Sequence, residues 1–261
     1  MRIASLQPSI SVTLKHLGKL DHLCACTKYC LDVVPELAQL NIPILHDSWT
    51  ANTEEILATK PDIVIASVPY RMESLAAILK SGLPVLALAP HTLADIANDT
   101  RILANLVQAP EAGEALNKKF HDSIEKVRTA TQSLPKQKIY CEEWGKPLIH
   151  SQDWVAELIA AAGGTFLGTP GAHTDAETIA AAGPDVLLFA WCGAGDRVPL
   201  ARTIEQRNWQ NLRAVQNRNV FCIPDEYLNT PSFTLTAGLD CIAHALHPHI
   251  FPSHPRLIRL T

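Results

Sequence analysis

The chain contains the sequence EEILATKPDIVI at residues 54–65 and a second version of it, ETIAAAGPDVLL, at residues 177–188. Both copies combine an acidic start, a helix-compatible stretch, a Pro-Asp pair and an uninterrupted apolar run. Proline cannot continue a helix, and an apolar run without polar alternation is typical of a parallel strand covered on both faces. Each copy therefore predicts a helix, a stop and a buried strand, although ordinary α/β sequence could also produce this pattern twice by chance.

A unit repeated at this distance predicts two similar α/β halves with a ligand cleft between them. Strand signals stop between about residues 93 and 133, and an apolar stripe with helical spacing runs through residues 112–131. We therefore predict an α/β protein with two Rossmann-like lobes of mostly parallel sheet, joined by one long backbone helix. The predicted boundaries are 1–110 for the N-terminal lobe, 111–134 for the connecting helix and 135–261 for the C-terminal lobe.

Composition excludes several classes of protein. Of the 261 residues, 47% are hydrophobic, which is enough for a full core. The net charge of -4 comes from interspersed acidic and basic residues, so no basic patch indicates a nucleic-acid partner. No apolar run is long enough to cross a membrane, so membrane insertion is not expected.

Cysteine content and the first residues bear on the compartment. The seven cysteines are an odd number, and oxidising compartments rarely contain so many free thiols. Because residues 2–6 already read as the first strand, no signal peptide is expected. We therefore predict a cytoplasmic protein. The alternative is a periplasmic or extracellular protein whose leader has been removed.

Two segments of the second half are predicted to be irregular. A strand over Lys138 to Cys141 is expected to lead into a loop over Glu142 to Pro147. The tail, residues 247–261, carries three prolines and no clear periodicity.

The chain as a whole resembles the helical-backbone substrate-binding proteins of ABC importers, in their cobalamin- and ferric-siderophore-binding branch. Within that branch it is most similar to the cobalamin-binding-like members without a leader. The segments that carry the resemblance are RIASLQPS at 2–9, TKYC at 27–30, NTEEI at 52–56, KPD at 60–62, AAAGG at 160–164, the second repeat, and ALHP at 245–248.

The resemblance implies a fold, a ligand class and a partner. It implies two lobes with a rigid helical backbone and a ligand, such as a cobalamin or another tetrapyrrole, held between them. In exported members one acidic residue on each lobe docks onto the membrane permease, and those positions correspond to Glu54 and Glu177. The alternative is that both are first-turn helix acids, which the helix dipole favours. A cytoplasmic protein would have no use for the docking role.

Ligands of open α/β lobes bind outside the carboxyl ends of the strands, and this rule selects candidate residues without reference to any family. Trp49 joins them as the loop residue before the first repeat. The candidate ligand-binding residues are Pro8, Ser9, Tyr29, Trp49, Tyr70, Glu143, Trp144, Trp191 and Asp225. Aromatic walls suit a large flat ligand such as a corrin or porphyrin. Alternatively, Trp144 and Trp191 fill the interface between the lobes.

Metal binding and catalysis have weaker support in the sequence. Cys24, Cys26 and Cys30 form a C-x-C-x3-C spacing that is not a standard zinc motif. Because Cys24 and Cys26 are expected on one face of a strand, buried thiols are favoured over ligands. Single loop histidines could offer an imidazole to cobalt or iron: His46, His91, His150 and His173.

No nucleophile elbow, P-loop or dinucleotide motif occurs, and adjacent Glu142 and Glu143 should point to opposite faces of their strand. We therefore predict no catalytic residues, no catalytic cofactor and no resident metal site. The leading hypothesis is a non-catalytic binding protein for a cobalamin-like ligand. Its alternatives are an exported importer component for a ferric siderophore or haem, and a metal-handling protein or enzyme on the same fold.

Overall fold

A computed structural model describes all residues, 1–261, and the chain divides into two compact units. The first unit contains Met1–Lys119 with Pro231–Phe233, and the second contains Phe120–Thr230 with Thr234–Thr261. Each unit is built around its own β-sheet. The predicted fold class is thereby confirmed, whereas the domain boundaries given from the sequence stay a prediction.

The first unit alternates strands and helices, as the βαβ rhythm of the sequence predicts. Its strands are β1 (Ile3–Ser5), β2 (Leu23–Thr27), β3 (Ile44–Leu45), β4 (Ile63–Ser67) and β5 (Val85–Leu88). Its helices are α1 (Pro8–His16), α2 (Lys28–Val33), α3 (Thr53–Ala58), α4 (Met72–Lys80) and α5 (Leu93–Leu106), with 3₁₀ turns at Leu20–His22 and Pro35–Leu40.

All five strands of the first unit are parallel, in the order β3-β2-β1-β4-β5. Their side chains form two apolar layers, one on each face of the sheet, and the central strands are almost entirely buried. Every carboxyl end consequently lies at the same edge of the sheet, and the loops at that edge connect to the helices.

The two cysteines of β2 face opposite sides of the sheet rather than the same side. Cys24 and Cys26 are buried as predicted, but Cys24 packs in the layer that contains Leu45, whereas Cys26 packs in the opposite layer. The cause is a register shift, since Ile3 pairs with Leu23 while its neighbour Ala4 pairs with Ala25. One extra residue in a strand reverses the facing of those that follow it.

The long helix α6 (Pro110–Thr131) follows α5, and the two compact units divide it between Lys119 and Phe120. Its predicted apolar stripe is buried at Leu116, Phe120, Ile124 and Val127. Gly113 allows α6 to approach α5, because a Cβ atom there would lie 2.5 Å from the Cβ atom of Ala104.

The second unit has a mixed sheet. Its strands are β6 (Gln137–Gly145), β7 (Leu148–His150), β8 (Gly164–Phe166), β9 (His173–Thr174), β10 (Val186–Phe189), β11 (Val220–Cys222) and β12 (Ile258–Arg259). Its helices are α7 (Asp153–Ala161), α8 (Ala176–Ala182), α9 (Leu200–Gln206), α10 (Arg213–Gln216) and α11 (Leu235–Leu246), with a 3₁₀ turn at Asp225–Tyr227. Strands β6, β8, β10 and β11 are parallel, and β7, β9 and β12 run antiparallel to their neighbours.

Two predictions for this unit are wrong in detail. Residues 142–147 are not a loop, because β6 continues to Gly145 and pairs with β7, leaving Lys146 and Pro147 as the turn of a hairpin. The tail is not wholly irregular, because β12 pairs with β11. In both segments, antiparallel pairing with a neighbouring strand stabilises residues whose own sequence has a weak strand signal.

The repeated sequence produces the same local structure twice. In the first copy α3 precedes β4, and in the second α8 precedes β10, as predicted. The aspartates have equivalent roles: Asp62 Oδ2 accepts the backbone N–H of Arg2 at 2.7 Å, and Asp185 Oδ2 accepts that of Lys138 at 2.9 Å. Each therefore ties the amino end of its strand to the neighbouring strand.

Candidate functional site

Five of the candidate residues follow four neighbouring strands of the first unit. In sheet order, Trp49 follows β3, Tyr29 follows β2, Pro8 and Ser9 follow β1, and Tyr70 follows β4. Since these strands are parallel, all five residues lie at the carboxyl edge of one sheet. The first-unit edge, as we call these five residues, combines exposed Tyr29 and Trp49 with a half-buried Tyr70 and a buried Ser9.

Hydrogen bonds fix the loop that carries Trp49. Asp47 Oδ1 accepts the backbone N–H groups of Trp49 and Thr50 at 3.0 and 2.9 Å. The Ser74 hydroxyl, in the first turn of α4, donates to the carbonyl of Trp49 at 3.2 Å. The Trp49 side chain is nevertheless 52% exposed, so an anchored backbone presents a large apolar surface to solvent.

Two cations lie beside these aromatic rings. The Lys28 ammonium is 4.8 Å from the ring centre of Tyr29, and the Arg71 guanidinium is 5.9 Å from that of Trp49. Such cation–π contacts are worth about 0.5–1 kcal/mol at exposed positions. They favour particular orientations of the rings while leaving them accessible.

The other four candidates lie at the equivalent edge of the second sheet. Glu143 and Trp144 are near the carboxyl end of β6, Trp191 comes two residues after β10, and Asp225 begins the 3₁₀ turn after β11. We call these four residues the second-unit edge. Trp144 is 44% exposed, and its indole N–H donates to the carbonyl of Lys146 at 2.9 Å.

The two glutamates of β6 point to opposite faces, as strand geometry predicts. Glu142 is fully buried, whereas Glu143 is partly exposed and accepts a hydrogen bond from Gln152 Nε2 at 2.8 Å. Burial raises the pKa of the Glu143 carboxyl above its ordinary value, and the Gln152 hydrogen bond opposes part of that rise. Glu143 is therefore an acid that takes up a proton more readily than a glutamate in water.

Asp225 organises the loop that follows β10. Its carboxylate accepts the backbone N–H of Gly193 at 2.8 Å and that of Gly195 at 2.7 Å. Both glycines have positive φ angles, of 77° and 61°, which favour residues without a side chain. The aspartate predicted to touch a ligand thus has a definite structural role, since it shapes the loop that begins at Trp191.

A thiol and an amide that the sequence did not select as ligand contacts also lie here. Asn229 Nδ2 donates to the carbonyl of Ala190 at 2.6 Å and to Cys192 Sγ at 3.2 Å. Although the Cys192 residue is exposed at the surface, partial desolvation of its sulfur, followed by the charges of Glu143 and Asp225, raises the pKa of its thiol to about 12. The Cys192 thiol therefore ionises less readily than an ordinary cysteine thiol.

The candidate histidines and cysteines do not assemble into a metal site. No group of three or more histidine, cysteine, aspartate or glutamate side chains is placed to hold an ion. His46 instead lies 2.7 Å from the Glu55 carboxylate. His150 is buried against the rings of Tyr140 and Phe166, and burial lowers its pKa.

A concavity in the second unit lies away from these residues. It has a volume of ≈ 520 Å³ and is lined by the amino-terminal end of β6 and by residues before β10 and β11, including Gln137, Asp185 and Asn219. It thus lies at the opposite edge of the second sheet and contains none of the candidate residues. None of the helices combines the length and apolar character needed to cross a bilayer.

With this geometry described, the chain can be compared with known proteins. A sequence profile for periplasmic binding proteins matches residues 3–227. The chain belongs to this family. The resemblance drawn from the sequence is therefore confirmed, and so is the broad assignment to a family of binding proteins.

Individual relatives agree with the family assignment. The chain is 27% identical over 241 residues to the vitamin B12-binding protein of Vibrio cholerae, covering 88% of this chain and 83% of that protein. Among solved structures, the periplasmic vitamin B12-binding protein of Vibrio cholerae has a TM-score of 0.77 at 24% identity, with 95% and 96% of the two chains covered. A periplasmic haem-binding protein from Pseudomonas aeruginosa has a TM-score of 0.85 at 20% identity, covering 100% and 98%. At these identities the two structures support the fold alone.

Proposed function

We propose that this protein is a non-catalytic binding protein for a tetrapyrrole-like ligand, specifically a cobalamin or another corrinoid. The observation that supports this most directly is the presence of large aromatic side chains at both edges, namely Tyr29, Trp49 and Tyr70 on one and Trp144 and Trp191 on the other. Aromatic faces bury large areas and suit a broad, flat ligand. The vitamin B12-binding relative supports the same ligand class. The cleft expected between the lobes stays a prediction.

Charges at the second-unit edge favour a corrinoid over haem. Glu143 and Asp225 are acids, while Arg207 is already paired with the buried Glu142. The periphery of a corrin carries neutral amides, whose N–H groups can donate to these carboxylates. Haem carries carboxylates, which would meet two groups of like charge. In the first unit, Ser9 supplies a hydroxyl that could orient the same ligand.

The ligand proposal is tested by titrating the purified protein with aquocobalamin and, separately, with haemin. We expect saturable binding of aquocobalamin with one site per chain. Quenching of tryptophan fluorescence and calorimetry measure this binding. Binding of haemin alone would favour the haem alternative, and binding of neither would overturn the proposed function.

Removing one exposed tryptophan from either edge is expected to weaken aquocobalamin binding. Trp49→Ala and Trp144→Ala should each cost about 1–3 kcal/mol of binding free energy, the scale of burying an aromatic side chain. Ile250→Ala is a matched control, since Ile250 is 50% exposed but lines the concavity at the opposite sheet edge. If both tryptophan variants bind as the wild type does, these residues do not contact the ligand.

We also propose a cytoplasmic location, which the free thiols support. The seven cysteines are all free, and six of them are buried. We expect denatured, freshly purified protein expressed from the full native gene to react with seven equivalents of a thiol reagent. Three disulfides, which would leave one reactive thiol, would instead favour an oxidising compartment.

A second candidate function is that of an importer component that docks onto an ABC permease. Glu54 and Glu177 favour it, because each is an exposed acid in the first turn of the helix that begins one of the repeats. The same position also suits a simple helix-dipole role. If the thiol measurement finds three disulfides, the docking role is favoured, because an exported protein can meet a permease.

A further inference from the structure

Behind the second-unit edge lies a fully buried carboxylate, that of Glu142, with four hydrogen-bond donors. The Trp191 indole N–H donates to Oε1 at 2.7 Å, and Arg207 donates from Nη1 to Oε2 at 2.7 Å and from Nη2 to Oε1 at 2.8 Å. The Tyr140 hydroxyl donates the fourth. Burial and then the Glu142 charge raise the pKa of Tyr140, so this hydroxyl stays protonated and remains a donor.

Trp191 is packed at its six-membered ring as well as hydrogen-bonded at its nitrogen. A Cβ atom on Gly145 would lie 2.4 Å from Trp191 Cζ2, so only glycine allows the end of β6 to pack on the indole. The Arg207 guanidinium lies 6.0 Å from the centre of the Trp191 ring and 4.9 Å from that of Trp209. These contacts surround the half-buried Trp191 ring on more than one side.

Stability alone does not account for an ion pair at this position. A buried Arg–Glu pair is costly to desolvate, and apolar residues of similar size often serve a core equally well or better. What an apolar replacement could not supply is a charged acceptor for the Trp191 N–H. The pair is thus connected directly to Trp191, one of the aromatic residues of the second-unit edge.

We infer that Glu142 and Arg207 are positioning residues that hold the Trp191 indole in the orientation in which it meets the ligand. The effect on ligand affinity rests on the proposed function, whereas the effect on Trp191 itself does not. A ring that is already oriented loses less conformational freedom on binding, which is worth roughly a two- to tenfold gain in affinity for one side chain.

The first test needs no ligand. The protein is labelled with 5-fluorotryptophan, and the ¹⁹F resonance of Trp191 is assigned with Trp191→Phe. In Glu142→Gln we expect the Trp191 resonance to shift and broaden, because a neutral amide holds the indole N–H more weakly, while the resonances of Trp49 and Trp144 stay in place. An unchanged Trp191 resonance would overturn the inference.

A second variant covers the case in which Glu142→Gln does not fold. Gly145→Ala leaves every donor and acceptor around Glu142 in place but forces the ring away from the end of β6. It should also perturb the Trp191 resonance. If that resonance is unaffected by Gly145→Ala, the packing part of the inference is wrong.

The second test is a double-mutant cycle with aquocobalamin. Glu142→Gln should raise Kd roughly two- to tenfold in the wild-type background and have no further effect in Trp191→Phe, which has no indole N–H to position. An equal loss in both backgrounds would mean a general structural effect and would overturn the role in binding. If the wild type does not bind aquocobalamin, the proposed function fails, and the ¹⁹F result still decides the positioning of Trp191.

Discussion

Arg207→Ala is expected to destabilise the protein by about 3–5 kcal/mol, because it leaves the Glu142 carboxylate buried without its main partner. Glu142 is 0% exposed, and two of its four donors come from this guanidinium. The variant also removes an apolar stem and a cation that lies beside the rings of Phe189 and Trp209. Urea denaturation followed by circular dichroism at neutral pH measures the loss.

The controls separate a buried charge from an exposed one. Arg213 lies 3.7 Å from Asp185 with 79% of its side chain exposed, so Arg213→Ala should cost less than about 1 kcal/mol. The double variant Glu142→Leu/Arg207→Met should be more stable than Arg207→Ala, since it buries no unpaired charge. A similar small loss for Arg207→Ala and Arg213→Ala would contradict the argument.

The sequence predicts the architecture well because the pattern of helix, Pro-Asp pair and apolar strand is local and occurs twice. The Pro-Asp pair ends a helix and ties the following strand to its neighbour through Asp62 or Asp185. The long helix is evident from its apolar stripe. The hairpin of β6 and β7 was missed because its pairing depends on contacts between strands rather than on the propensities of residues 142–147.

The sequence predicts most of the candidate aromatic residues at the two edges, but not the contacts behind them. The rule about strand ends selects Tyr29, Tyr70, Trp144 and Trp191, whereas Trp49 is selected only as the loop residue before the first repeat. It cannot find Arg207, which is 65 positions away from Glu142 in the chain. Once the structure shows Glu142 fully buried, a partner is required, because an unpaired buried carboxylate is too costly. Which cation supplies it becomes evident only in the folded structure.

Gly238→Ala is the second substitution expected to have a large effect on stability. We expect it to destabilise the protein, whereas replacing a helical glycine by alanine usually stabilises one. Within a helix, alanine is ordinarily about 1 kcal/mol more favourable than glycine. In α11, however, a Cβ atom on Gly238 would lie 2.2 Å from the carbonyl oxygen of Tyr227 and 2.7 Å from Leu228 Cδ2. The contacted oxygen belongs to the backbone, so the overlap cannot be relieved by rotating a side chain.

The 3₁₀ turn that ends at Tyr227 has little freedom to move away. The carbonyl of Leu228 accepts the Trp154 indole N–H at 2.7 Å, and Asp225 in the same turn holds Gly193 and Gly195 of the loop after β10. We therefore expect a net loss of about 3 kcal/mol, at the upper end of the usual cost of overpacking. Displacing the turn should also disturb the Trp191 loop and weaken ligand binding.

The control for Gly238→Ala is the reverse substitution one residue earlier in the same helix. Ala237→Gly should cost about 1 kcal/mol through helix propensity alone and leave ligand affinity unchanged. Urea midpoints and aquocobalamin titrations of both variants give the comparison. If Gly238→Ala is as stable as the wild type or more so, then α11 and the turn are not held in close contact. The conformation of the loop after β10, which Asp225 holds, would then not depend on Gly238.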